Sequence, residues 1–546
     1  LATAEAIAVP VTMLLLVLAF GSLVAAALPL AIGGIAILGT FAELSLLASA
    51  TDVSIFSINL TTALGLGLAI DYALFMVSRF REQLSKGDSV PEAVAGTVAT
   101  AGRSILFTAA AVMAALAALL VFPLYFLRSF GYAGIGVVAI AALAAVVVLP
   151  ALLALLGHRV NAGRVRFIRT AQSTESRLWG RLAGGVMRRP VLTALPVIAI
   201  LLLGASPLLG VSFGTPDQGV LPTSAHSRQV ADALTQRFPG NASSPVDIVT
   251  DGPVAPGPLA GYARQLSQLP GVARVQTSVG TFVHGQAGPA GPGAQAMGRP
   301  DGQRLTVVST LPTKSPQALD LVRAIRATRA PDGVAALVTG EDARMIDARH
   351  TIGTRLPLAI ALVALTTFLV LFLFTGSVVQ PLRALLSNLL SLCATLGVLT
   401  WIFQDGHLAG LLGFTPRPMD MSMTVLLFCI AFGLSMDYEV FVLSRIKELH
   451  DAGAAAGQAV PQGMARSGRL VSTLAGLLAV TFFAFGTSSV SFLQLFGIGS
   501  GLAILIDATL VRGVLVPAAM RLIGRASWYS PAPLRWVHAR VALSEG

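Results

Sequence analysis

The sequence predicts an α-helical polytopic membrane protein that carries one α/β external domain. Three observations predict it. Hydrophobic residues make up 55% of the 546 and charged residues only 12%, against about 25% charged in an ordinary soluble chain. Apolar runs long enough to span a bilayer recur along most of the length. One long polar stretch, 213–352, interrupts them.

A span takes about 20 mostly apolar residues at 1.5 Å each. Such runs fall near 6–25, 27–49, 55–79, 104–127, 130–157, 191–212, 354–376, 380–404, 420–445, 469–488 and 492–518, which makes eleven. The organisation expected is a first bundle over 1–157, a basic linker over 158–190 and a single span at 191–212. The external domain at 213–352, a second bundle over 353–522 and a tail over 523–546 then follow.

Charge sets the topology. Residues 158–190 carry eight arginines, among them Arg177, Arg181, Arg188 and Arg189, against the single acid Glu175. Further basic residues stand at Arg79, Arg81, Lys86 and Arg103, at Arg445, Lys447, Arg466 and Arg469, and at Arg521, Arg525, Arg535 and Arg540. If the spans alternate, all of these fall on one side, and the positive-inside rule makes that side cytoplasmic. The net charge of +11 is therefore read as topology and contact with anionic lipid, not as a nucleic-acid surface. Trp528, Tyr529 and Trp536 beside the basic tail read as an interfacial anchor.

The same alternation places 213–352 outside. Helices are expected over 224–238, 259–269 and 315–328, and strands over 245–251, 273–279, 304–311 and 333–340. Alternation of that kind suggests a small split βαβ layer. The Gly/Pro-rich run 285–302 reads as a mobile or disordered loop.

The strongest signal is an internal repeat. GLAIDYALFMVSRFRE (67–82) aligns with GLSMDYEVFVLSRIKE (433–448) at an offset of 366, which also pairs AGR (101–103) with SGR (467–469). A weaker echo pairs 18–30 with 373–385 at an offset of 355. Parallel repeats are one way in which transporters are built, with sites between the halves. The second half opens with a span and a polar domain ahead of its repeat, so by symmetry a first span and a first external domain are expected before Leu1, in a protein of twelve helices.

Asp71 and Asp437 hold equivalent places, each eight residues before an arginine, Arg79 or Arg445, that marks the cytoplasmic edge. That is about 12 Å into the bilayer. A carboxylate at such depth persists when it faces partners or water, and marks ion or proton pathways. Tyr72 and Tyr438 follow directly, each with a hydroxyl able to bond a carboxyl group. Gly67 and Gly433 stand one turn away on the same face, where small residues let helices approach closely. The first 78 residues hold no Lys or Arg, which disfavours simple pairing of these acids with a buried base. Asp507 and Glu439 are read either as relay support or as packing details, and Arg512, five residues beyond Asp507, is a ready partner for it.

Exclusion narrows the energy source. None of the three lysines, Lys86, Lys314 and Lys447, stands in a phosphate-binding loop, and there is no HExxH or GxSxG pattern. No catalytic residue, metal site or cofactor is predicted, and coupling to an ion gradient remains. Cys393 and Cys429 lie in apolar runs and do not suggest a disulfide framework.

These residues resemble the MMPL (mycobacterial membrane protein, large) transporters of the resistance-nodulation-division superfamily, common in actinobacteria. The resemblance rests on the two aligned windows and on ATAGRSILFTA, SGRLVSTLAGLLAVTFFAFG and LIDATLVRGVLVPAAM. It implies the fold of that family, with a porter-like external domain, in the bacterial inner membrane. It further implies export of lipids or other hydrophobic molecules driven by the proton-motive force, with Asp71, Tyr72, Asp437 and Tyr438 as the proton relay. The partners expected are a lipid-like or hydrophobic small-molecule substrate and membrane lipids, with a homo-oligomer or accessory cell-envelope proteins left open. A drug or antibiotic efflux pump of the same superfamily is one alternative, and a non-transporting sensor or scaffold on the same repeat is another.

Overall fold

The computed structural model describes residues 10, 12–18, 20–163, 176–237, 244–331 and 333–541. The chain divides into two compact units, Leu1–Phe213 with Arg355–Gly546, and Gly214–Thr354. The expected span at 6–25 falls largely outside the described residues. Among those described, ten helices are long and apolar enough to cross a membrane.

The first half of the repeat supplies α1 (Leu23–Leu47), α2 (Ser57–Lys86), α3 (Val90–Val121) and α4 (Tyr125–Asn161). Ser22 caps α1, its hydroxyl accepting from the Ala25 amide. Gly87, at φ 98°, stops α2 in the left-handed conformation that a side chain would disfavour. Pro123 ends the third span and starts the turn into the fourth. The short helix α5 (Arg177–Arg188) then leads into α6 (Pro190–Gly210).

The second unit contains the helices α7 (His226–Arg237), α8 (Pro256–Ser267) and α9 (Pro316–Ala327). Its strands are β1 (Val246–Thr250), β2 (Val272–Thr277), β3 (Gly280–Val283), β4 (Gln286–Gly288), β5 (Gly298–Arg299), β6 (Gly302–Ser309) and β7 (Ala336–Thr339). They form one sheet in the order β4-β3-β2-β6-β1-β7, with β5 paired to β6. Because β6 is antiparallel to both β1 and β2, the β1-α8-β2 crossover is split by an intervening strand. Ile248, Val275, Leu305 and Val307 point inward and pack against Leu259 and Leu266 of α8 and Val322 and Ile325 of α9. The run 285–302 is not the loop its composition suggests. Residues 286–288 extend the sheet through β4 and residues 298–299 pair back onto β6, so backbone pairing satisfies a segment whose side chains contribute little burial.

The second half supplies α10 (Glu341–Thr375), α11 (Val379–Gln404), α12 (Met421–Asp451), α13 (Gly457–Phe485) and α14 (Ser491–Trp528), followed by α15 (Ala532–Val541). Several helices outrun their apolar segments. In α2 and α12 the extra turns are laced by Arg79–Glu82, Lys86–Glu82, Arg445–Glu448 and Lys447–Asp451 pairs at 2.8 to 2.9 Å, which favour helix where hydrophobicity has run out. Both closing helices contain π-helical stretches at equivalent places, Ala144–Val148 in α4 and Asp507–Leu515 in α14.

Candidate functional site: a carboxylate cluster between the repeats

The acid-bearing helices α2 and α12 are the most deeply buried spans of the bundle. Each packs through its glycine against a helix of the opposite half. A Cβ on Gly67 would lie 2.2 Å from Leu478 Cδ1 of α13, and one on Gly433 would meet Val112 and Ala115 of α3. The close neighbours of these glycines are therefore α13 and α3, and not the two acid helices facing each other as their matched spacing suggests. Since α3 and α13 are repeat equivalents, the packing is crosswise.

That arrangement brings Asp71, Tyr72, Asp437 and Tyr438 around one cavity of about 60 Å³, room for several waters. The Tyr438 hydroxyl donates to Asp71 Oδ2 at 2.7 Å, so the bond made is between halves and not between neighbours in sequence. The second oxygen of Asp71, the Tyr72 hydroxyl and both oxygens of Asp437 have no hydrogen-bond partner among the described residues. Thr108 lines the same cavity, its hydroxyl donating to the Ile105 carbonyl at 3.2 Å. Phe75 and Phe441 close one side edge-to-face, their centroids 5.0 Å apart. Ser104, Phe374 and Leu474 complete the parts of the wall that matter here. Carboxyl groups with open oxygens beside hydroxyl donors form the kind of arrangement that can bind and pass a proton.

A second polar cluster flanks this cavity, on one side only. Arg512 bonds Asp507 through Nε at 2.9 Å and through its terminal nitrogen at 2.5 Å, and also donates to the Ser435 carbonyl at 2.5 Å. Its guanidinium lies 5.1 Å from the centre of the Tyr438 ring. A spacing of five residues would splay these side chains apart on an α-helix. The π-helical turn at Asp507–Leu515 brings them onto one face. Asp507 is thus held by the partner that the sequence offered.

Glu439 forms a buried ion pair with Arg383 of α11, and Arg383 Nε donates to Gln380 at 3.0 Å. Ser435 in turn donates to Asn388 at 2.8 Å. Sequence reasoning passed over Arg383, Asn388, Ser435 and Thr108. A lone arginine inside an apolar run was the signal for Arg383, because such a charge needs a buried partner. The offset of 366 was the signal for Ser435 and Thr108, since it sets them against Ala69 and Leu474, and Asn388 had none. No metal-binding group of three or more His, Cys, Asp or Glu occurs among the described residues.

The sequence pattern of the MMPL family matches residues 1–193 and 219–543. A putative membrane protein of Streptomyces coelicolor is 41% identical over 544 residues, 99% of this chain and 73% of that protein. The trehalose monomycolate exporter MmpL3 of Mycobacterium tuberculosis is 33% identical over 574 residues, 99% of this chain and 60% of that protein. The heme uptake protein MmpL11 of the same organism is 31% identical over 550 residues, covering 98% and 55%. The chain thus spans little more than half the length of its mycobacterial relatives. With ten apolar helices among the described residues and the family pattern covering most of its length, the chain is a multi-pass protein of the bacterial plasma membrane and belongs to the MMPL family.

Proposed function

We propose that this protein is a proton-driven exporter of lipids or other amphiphiles. The observation that carries the reading is the Tyr438–Asp71 bond across the repeat, beside an Asp437 with no hydrogen-bond partner among the described residues. Protonation of Asp71 changes what the Tyr438 hydroxyl can bond, and that hydroxyl joins a helix of one half to a helix of the other. A proton entering the cavity therefore alters the fit of the two bundles, the kind of local charge change that biases a two-state rearrangement. The relatives named for trehalose monomycolate export and for heme uptake support a hydrophobic or amphiphilic cargo. Direction and cargo are part of the proposal.

Transport of a fluorescent long-chain glycolipid in inverted membrane vesicles, with and without a protonophore, tests it. Asp71→Asn and Asp437→Asn should each reduce gradient-driven transport at least tenfold while detergent-solubilised melting stays within a few degrees of wild type. Transport that survives both substitutions and the protonophore would exclude proton coupling and point to another coupling ion, and a wild type that moves no lipid would favour the scaffold or sensor role.

A further inference from the structure

The helix α5 has three distinct faces. Trp179, Ala183, Val186 and Met187 turn toward the bundle. Trp179 sits so close to α13 that a Cβ on Gly468 would lie 2.4 Å from its ring, and one on Gly513 of α14 would lie 3.3 Å from it. This contact fixes the rotation of α5 about its own axis. Arg177, Arg181 and Arg188 are exposed, and their spacings of four and seven residues place them on one stripe. Between the stripe and the buried face stand Leu178 and Leu182, 71% and 40% exposed.

Exposed leucines beside arginines are out of place on a helix bathed in water. They suit a helix at a bilayer surface, where apolar side chains enter the acyl region and cations meet the headgroups. The position agrees, because α5 runs through Arg189 straight into the apolar span α6, whose first turns expose Val191, Leu192 and Leu195. No acidic residue occurs from Ser176 to Pro190, so no carboxylate within the segment competes for these guanidinium groups.

We propose that α5 is a docking surface for anionic phospholipid, with Arg177, Arg181 and Arg188 holding headgroup phosphates and Leu178 and Leu182 seated among the acyl chains. Guanidinium groups suit the task, since their planar forks bond phosphate oxygens in pairs. The inference is independent of the cargo and of the driving force. Through Trp179, a lipid held on this surface would steady the junction of α13 with the π-helical part of α14, next to Arg512.

The test is native mass spectrometry of the full chain released from nanodiscs containing phosphatidylglycerol and phosphatidylcholine in equal parts. The wild type should retain phosphatidylglycerol preferentially. Arg177→Gln, Arg181→Gln and Arg188→Gln combined should lower that retention by about tenfold or more and leave phosphatidylcholine unchanged. The corresponding triple lysine variant should keep most of it and controls for folding. Leu178→Ser with Leu182→Ser, which keeps every charge, should also lose phosphatidylglycerol. Equal retention by the wild type and the glutamine variant would overturn the proposal, as would full retention by the serine variant, which would show that Leu178 and Leu182 take no part in holding the lipid. Should the triple glutamine variant fail to fold, Arg181→Gln alone and the serine variant decide the matter by the same measure.

Discussion

A residue that follows another in an α-helix projects about 100° around the axis from it, so Tyr438 points away from its own neighbour Asp437 and reaches Asp71. Tyr72 has the same relation to Asp71, yet its hydroxyl has no hydrogen-bond partner among the described residues. The pair of tyrosines, at equivalent places in the repeat, is thus unequal in what it does. Tyr438→Phe should strand a buried carboxyl oxygen and cost about 1–3 kcal/mol, read as a lower melting temperature in detergent. Tyr72→Phe should change melting by much less. Equal effects would mean that the bond across the repeat is not the one that matters. The presence of the four relay candidates was legible from the matched windows, but the crossed bond was not, because equivalence in sequence says nothing about which of two equivalent donors is in reach. The Glu439–Arg383 pair belongs to the same scale. Removing one partner of such a pair is worse than removing both, since a lone buried charge is left behind.

At the level of elements, glycines decide which helices touch. Gly397 of α11 faces the backbone of α6, and a Cβ there would lie 2.1 Å from the Gly204 carbonyl oxygen and 2.8 Å from Ala205 Cα. A backbone cannot step aside as a side chain can. Gly397→Ala should therefore destabilise by about 1–3 kcal/mol, whereas at Gly67 the obstructing atom is the movable end of Leu478 and the loss should be smaller. Comparing the two melting temperatures tests the distinction. The spans were legible as apolar runs, whereas their ends were not, since ion pairs at three and four residues carry α2 and α12 beyond the hydrophobic segment. The π-helical stretches had no sequence signature, although the five-residue spacing of Asp507 and Arg512 makes sense only with one. In the α/β unit the alternation of β1 and β6 was readable in their valines, leucines and isoleucines. The Gly/Pro-rich hairpin was not, because its pairing uses backbone groups that composition does not report.

For the whole molecule, the offset of 366 announced two related bundles and implied a site where they meet. What symmetry concealed is how far the bundles differ around that site. The second half surrounds its aspartate with Ser435, Glu439, Arg512 and Asp507, while the first half has alanines or valine at the corresponding positions. Such asymmetry gives the two acids different electrostatic surroundings within one cavity. The crosswise contacts carry a further consequence. Because α2 leans on α13 and α12 leans on α3, each half supplies a wall that the other lacks, and the covalent link between them has little left to hold. Two polypeptides divided between Asn161 and Ser176 and co-expressed should find each other in the membrane and copurify through a tag on either one. Neither fragment alone should yield a monodisperse species. The two bundles would then behave as a heterodimer that happens to be encoded as a single chain.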